Sequence, residues 1–189
     1  GGSDENPTTM PSAADACWLV HSSDGYVGWV DESALRFVDA PAFAERLRSH
    51  TSATAKAQVE RAVAHARSMA GTPYLWGGKT KQGIDCSGLT QTAYAAAGVR
   101  LPRDADMQSA AGRLVATRWF RDGLLPGDLL FFVHPRRGHV HHVAMYLGDG
   151  RYIESGGPGV RVRNLLDKTA ADYDAKADAS FGWARRVVE

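Results

Sequence analysis

The feature that most constrains this chain is a change of texture near residue 126. Beyond it come GDLLFFV (127–133), HVHHVAMYLG (139–148), GRYIESG (150–156), GVRVRNL (159–165) and a final FGWARRVV. Each run is short and rich in β formers. Turns of Gly, Pro and Asp separate them, including Gly148-Asp149-Gly150, so the stretch predicts an antiparallel meander. Before the change the spacing is helical. Val59, Ala62, Val63, Ala66 and Met69 predict a helix over 54–69, with Thr54 as N-cap and Gly71 and Pro73 as the stop. A second helix is expected over about 86–97, closed by Gly98, and a short third one over about 104–111. Helices followed by a meander give an α+β fold in which N-terminal helices pack on an antiparallel sheet. With 44% hydrophobic residues among 189, there is enough apolar material for a core.

The first 57 residues read differently. Residues 1–16 are polar and predict a flexible tail. In 17–40, apolar and aromatic residues flank Asp24-Gly25, which predicts a hairpin with strands near 17–21 and 26–30 and with Trp18, Trp29 and Cys17 in its core. A two-stranded hairpin is barely stable alone, so it must pack on something or be part of a partial barrel. Residues 41–57 read as a linker, and 58–189 as the main domain. The 22 Lys+Arg against 21 Asp+Glu give a net charge of +1 with no long basic run, which argues against a nucleic-acid partner. No apolar stretch approaches the roughly 18 residues of a membrane span.

IDCSGLT (84–90) places Cys86 where a glycine-rich loop turns into a helix. Free cysteines are ordinarily small buried hydrophobes. A helix N-terminus, however, offers free N–H groups and partial positive charge, which favour thiolate and can hold a developing oxyanion. Gly77, Gly78, Gly83 and Gly88 would allow a substrate backbone to come close. A thiol nucleophile needs a base, and His134, His139, His141 and His142 are the candidates. Strict alternation puts His142 on one strand face with Val140, Ala144 and Tyr146, and His139 and His141 on the other. Asp149 and Glu154 are the nearby acids that could orient an imidazole. The same histidines with Cys86 would suit zinc, but neither Cys-x-x-Cys nor His-Glu-x-x-His is present, so no metal is expected.

PYLWGGKTKQGIDCSGLTQTAY, LPRDADMQ, LLPGDLLFF and HVAMYLGDGRYIES, in that order, resemble the NlpC family of papain-like cell-wall peptidases over roughly 58–189. The resemblance implies a papain-like fold and a cysteine peptidase that needs no cofactor and acts on peptidoglycan stem peptides, at the bond between γ-D-glutamate and the diamino acid. It implies Cys86 as nucleophile, His142 as base and Glu154, twelve positions on, as the third residue, where the family more often carries His, Asn or Gln. It further implies Tyr74 beside the oxyanion, and Asp85 and Ser87 at the substrate, Asp85 suited to a free ammonium. Arg103 is family-like too, and reads equally as an ion-pair partner. The segment 17–40 resembles the end of a bacterial Src-homology-three-like barrel. A monomer is expected, with the cell envelope or secretion favoured as location and cytoplasmic recycling as the other placement. The competing readings are a wall-binding module of weak activity, and an amidase or acyltransferase on the same scaffold.

Overall fold

The structure is a computed structural model, described here for residues 17–21, 27–35 and 55–188. The N-terminal part is a hairpin of β1 (Cys17–His21) and β2 (Val27–Asp31), paired antiparallel from Cys17↔Asp31 to His21↔Val27, then a 3-10 turn Glu32–Ala34. Among the described residues it closes no barrel. Cys17 is exposed rather than in a hairpin core. Trp18 is half exposed, its indole N–H donating to Glu32 at 3.0 Å. The side chain of Trp29 and the Thr54 cap lie outside the described residues.

Helix α1 (Ala55–Ser68) buries Ala62 and Ala66, small residues that let it lie close against α2 (Cys86–Ala96). Its first residues fall within the range read as linker. Helix α2 ends as expected, with Gly98 in the left-handed region (φ +77°) and Val99 N–H returning to the Tyr94 carbonyl at 2.9 Å. The tight loop before it forms β3 (Lys79–Thr80) and β4 (Gly83–Ile84). The third helix, α3, is only Ala105–Gln108.

The sheet has six strands: β5 (Arg113–Thr117), β6 (Leu129–Val133), β7 (Val140–Gly148), β8 (Arg151–Gly156), β9 (Gly159–Asn164) and β10 (Phe181–Arg186). Their spatial order is β5-β10-β6-β7-β8-β9. The expected meander holds for β6 to β9, but the C-terminal strand inserts between β5 and β6. Both faces are covered. Leu129, Phe131, Val143, Met145 and Ile153 pack on the helices, with Ala62, Leu89 and Tyr94. Leu130, Phe132, Ala144, Tyr146 and Tyr152 fill the other side with Phe181 and Leu165. Burial on both faces accounts for the unbroken apolar run of β6. β5 and the six-residue α4 (Ala175–Ser180) were not anticipated. The latter is capped by Asp174, which accepts from the Lys176 and Ala177 N–H groups.

Of the glycines around Cys86, Gly78, Gly83 and Gly88 are closely packed by the protein itself, whereas Gly77 has open space around it and lines the cleft. A Cβ on Gly88 would lie 2.3 Å from the Gly78 carbonyl oxygen, and one on Gly78 would lie 2.4 Å from that of Gly83. The loop is thereby stacked directly on the start of α2. Because backbone rather than a flexible side chain is in the way, Gly88→Ala is expected to cost about 1–3 kcal/mol of stability. A urea unfolding midpoint that does not move would contradict this close stacking.

Candidate active site

The Asp85 side chain caps α2, accepting from Gly88 N–H at 2.7 Å, and also accepts from Gly77 N–H at 2.7 Å. Its two oxygens take the two ends of the Arg103 guanidinium at 2.9 and 2.6 Å. Arg103 also donates to Ser87 Oγ at 2.8 Å. All three side chains are buried. Burial alone would raise the Asp85 carboxyl, but Arg103 and the two N–H donors hold it below the usual carboxylate range. Asp85, Ser87 and Arg103 thus form one buried cluster under the helix N-terminus, with Cys86 as the first helical residue above it. Gln108, which the sequence did not point to, ties α3 to this cluster: its amide donates to the Ser87 carbonyl at 3.1 Å and its oxygen accepts from Thr90 at 2.7 Å.

Cys86 meets β7. The His142 imidazole and the backbone N–H of Val143 both act on its sulfur, and the β7–β8 ladder, which runs from Gly148↔Arg151 to Met145↔Ile153, stops short of Val143. Ser155 Oγ, beside Glu154, donates to the Ile84 carbonyl at 2.7 Å and so latches β8 to the chain just before Cys86. His142 Nε2 is 2.7 Å from Glu154 Oε2, leaving Nδ1 to face the sulfur. Burial opposes ionisation of all three groups. For the Cys86 thiol it is outweighed by the hydrogen bond and charge of His142 and by Val143 N–H, so the thiol lies below its ordinary value. His142 is pushed up to about 9 by Cys86 and Glu154. Glu154 is lowered by His142 and Arg161. The arrangement favours a thiolate–imidazolium pair braced by a carboxylate.

Of the four histidines, then, it is His142 that reaches Cys86, from the face it shares with Ala144 and Tyr146 as alternation gives, whereas Val140 does not share that face. The β6–β7 register shifts between Phe132↔His142 and Val133↔Val140, so His141 is an extra residue, a bulge. The bulge places Val140 on the helix side, while His142 packs by the Phe132 ring at 5.6 Å between centroids. His134 and His139 stack on each other, 5.7 Å apart. No group of three metal-ligating side chains converges among the described residues. Glu154 is buried, not a solvated edge residue. Arg161, also missed, donates through Nε to Glu154 Oε1 at 3.0 Å, with Nη2 at the same ion-pair distance from that oxygen. It could have been found from the turn Gly156-Gly157-Pro158-Gly159, which sets Glu154 opposite Arg161.

A cleft of about 200 Å³ opens over the sulfur, lined by Tyr74, Trp76, Gly77, Cys86, Asp106 and His141 among others. Tyr74 and Trp76 stand at its rim, both exposed. Desolvation, with the Cys86 charge next, raises the Tyr74 phenol and keeps its proton on.

Residues 71–177 match the NlpC/P60 family. A gamma-D-glutamyl-L-lysine dipeptidyl-peptidase of Bacillus cereus is 48% identical over 86 residues, 45% of this chain and 25% of that protein. A bifunctional muramidase/DL-endopeptidase of Bacillus subtilis is 38% identical over 97 residues, 50% of this chain and 28% of that one. The chain thus spans about a quarter to a third of the length of such curated relatives. Among solved structures, an NlpC/P60 family protein from Bacillus cereus aligns with TM-score 0.63 and 28% identity, over 95% of this chain and 53% of that one. A peptidoglycan hydrolase from Mycobacterium tuberculosis aligns with TM-score 0.59 and 30% identity, over 82% and 75%. With more than half of its length matching the family, and with family structures sharing its fold, the chain belongs to the NlpC/P60 family.

Proposed function

We propose that this domain is a cysteine peptidase that hydrolyses the γ-D-glutamyl–diamino acid bond of peptidoglycan stem peptides through a Cys86 acyl-enzyme. The observation that carries the reading is Cys86 at a helix N-terminus, hydrogen-bonded to an imidazole whose other nitrogen is 2.7 Å from a buried carboxylate. The names of the relatives supply the bond and the substrate class.

In this mechanism the Cys86 thiolate attacks the γ-carbonyl carbon and the C=O electrons move onto oxygen. N–H groups at the start of α2 and the Tyr74 hydroxyl stabilise the oxyanion. As the C–N bond breaks, His142 gives its proton to the leaving amine. Neutral His142 then takes a proton from water, which attacks the thioester and releases the D-glutamyl carboxylate and the thiolate. Glu154 holds the ring so that Nδ1 faces the sulfur, and stabilises imidazolium. Asp85 lines the cleft beside Cys86, and with its oxygens bonded by Arg103, Gly77 and Gly88 it also fixes the helix start. Ser87 belongs to the same cluster and acts through it. The wall-binding alternative draws its motive from the unusual Glu154 and from the incomplete barrel, and the contact of Glu154 with His142 speaks against the first. We further read β1–β2 as the end of a Src-homology-three-like segment over 17–40, preceding a peptidase domain over 58–189. The two-stranded pairing of β1 and β2, apart from the six-stranded sheet, supports that division.

The reading has a pH signature. Imidazolium must persist for the leaving group to be protonated, so the alkaline limb of kcat/KM is expected near pH 9, where His142 loses its proton. Glu154→Gln removes a charge that favours imidazolium, and should move that limb down by about one unit while lowering kcat about 10–100-fold. A limb that stays in place would show that Glu154 does not act on His142.

A further inference from the structure

Glu154 is the member of the site whose chemistry is least settled by the reaction itself. A bare carboxylate against His142 would hold the imidazolium too firmly to release its proton. A carboxylate free to turn would not hold the ring at all. The structure answers both points with Arg161. Glu154 and Arg161 are direct cross-strand partners in the β8–β9 ladder, on one face of the sheet. The two contacts of Arg161 converge on Oε1, while Oε2 alone faces His142 Nε2 at 2.7 Å. The carboxylate is therefore divided between a cation and the ring, one oxygen each.

We propose that Arg161 is a positioning residue for the Cys86–His142 pair: it pins the Glu154 carboxylate in the rotamer that presents Oε2 to His142 and tempers its charge. This rests on the peptidase reading for its catalytic consequence, but not for its effect on Cys86. Arg161 does not line the cleft over Cys86. It lines a separate cleft of about 560 Å³ on the far side of the His142–Glu154 pair, so it is placed to act through Glu154 and not by touching the scissile bond. The charged and titratable groups around Glu154 are His142 and His141 from β7, Tyr152 from its own strand, Arg161 and Arg163 from β9, and Asp174 and Lys176 at the start of α4 across that cleft. Arg163 is already paired with Asp174 at 3.1 Å, which leaves Arg161 as the cation seated on Glu154.

Removing Arg161 takes a positive charge from beside the pair. Thiolate is then less favoured and imidazolium more favoured, so both limbs of the pH dependence should rise. Acting through Glu154 and partly exposed, the guanidinium should move each limb on the order of half to one unit. This is opposite in sign to the alkaline shift expected for Glu154→Gln. The test compares wild type, Arg161→Gln and Arg161→Lys by two readouts. One is the rate of Cys86 alkylation by iodoacetamide against pH, which needs no peptide substrate. The other is kcat and KM on the stem tripeptide. Arg161→Gln is expected to raise the pH of half-maximal alkylation and to lower kcat several-fold with KM unchanged, and Arg161→Lys to restore most of the wild-type pH dependence. An unmoved alkylation curve in Arg161→Gln, or a rise in KM alone, would overturn the proposal. If wild type alkylates with a depressed pH midpoint yet cleaves no peptide, the peptidase reading fails while the alkylation arm still decides the role of Arg161.

Discussion

Replacing Cys86 by alanine is expected to lower kcat/KM on stem peptides by at least about 10⁴-fold, because without the sulfur there is no acyl-enzyme and a lone oxyanion site recovers only a small part of the rate. The residual rate should come with peptide affinity near that of wild type, since the rim residues Tyr74 and Trp76 are untouched. Cys86→Ser should be nearly as slow. Its hydroxyl ionises far less readily than a thiol, and the surroundings that depress Cys86, His142 and Val143 N–H, are tuned to sulfur at that spot. Steady-state kinetics together with equilibrium binding of the same peptide separate these terms. Loss of binding in step with loss of turnover would mean that Cys86 is part of the peptide groove rather than the nucleophile.

The largest expected effect on stability lies one layer below. Arg103→Ala would leave the Asp85 carboxylate buried without its partner, and breaking a buried pair from one side costs about 3–5 kcal/mol. Arg103 is 2% exposed and Asp85 5%, so water does not readily replace the guanidinium. Gln108 and Ser87 share the cluster, so the loosening should spread to the start of α2. The Asp85 carboxyl is held low in the folded state. Its contribution is therefore complete above the unfolded value near about pH 4 and is lost as pH falls through the folded value. In the variant this acid dependence should flatten. Met107→Ala, on an exposed neighbour in α3, should shift the urea midpoint little. Equal midpoints for Arg103→Ala and Met107→Ala would contradict the account of the cluster.

Much of this was legible in the sequence because local signals and chain geometry agreed. Asp85 before a helix that ends at Gly98 placed Cys86 at an N-terminus, as found. The tight turn at Gly148-Asp149-Gly150 folds β8 back on β7 and brings Glu154 to His142, the pairing that the family resemblance implied. What escaped depends on long-range pairing. Nothing in FGWARRVV says that it pairs with both β5 and β6. The bulge at His141 moves Val140 off the face that alternation gives it beside His142, and only the β6 register reveals it. The glycines look like room for a ligand in one dimension. In three, Gly78, Gly83 and Gly88 are where loop, strand and helix touch. That Asp85 also pairs with Arg103, eighteen residues on, shows only in the fold.

The central claim is the bond that is cut and the group that cuts it. Mass spectrometry of digests of L-Ala-γ-D-Glu-meso-diaminopimelate and its lysine counterpart, with wild type beside Cys86→Ala, tests both. The account predicts release of L-Ala-D-Glu and the free diamino acid by wild type, and neither product from the variant. The same products from both proteins, or cleavage only at another bond, would contradict it.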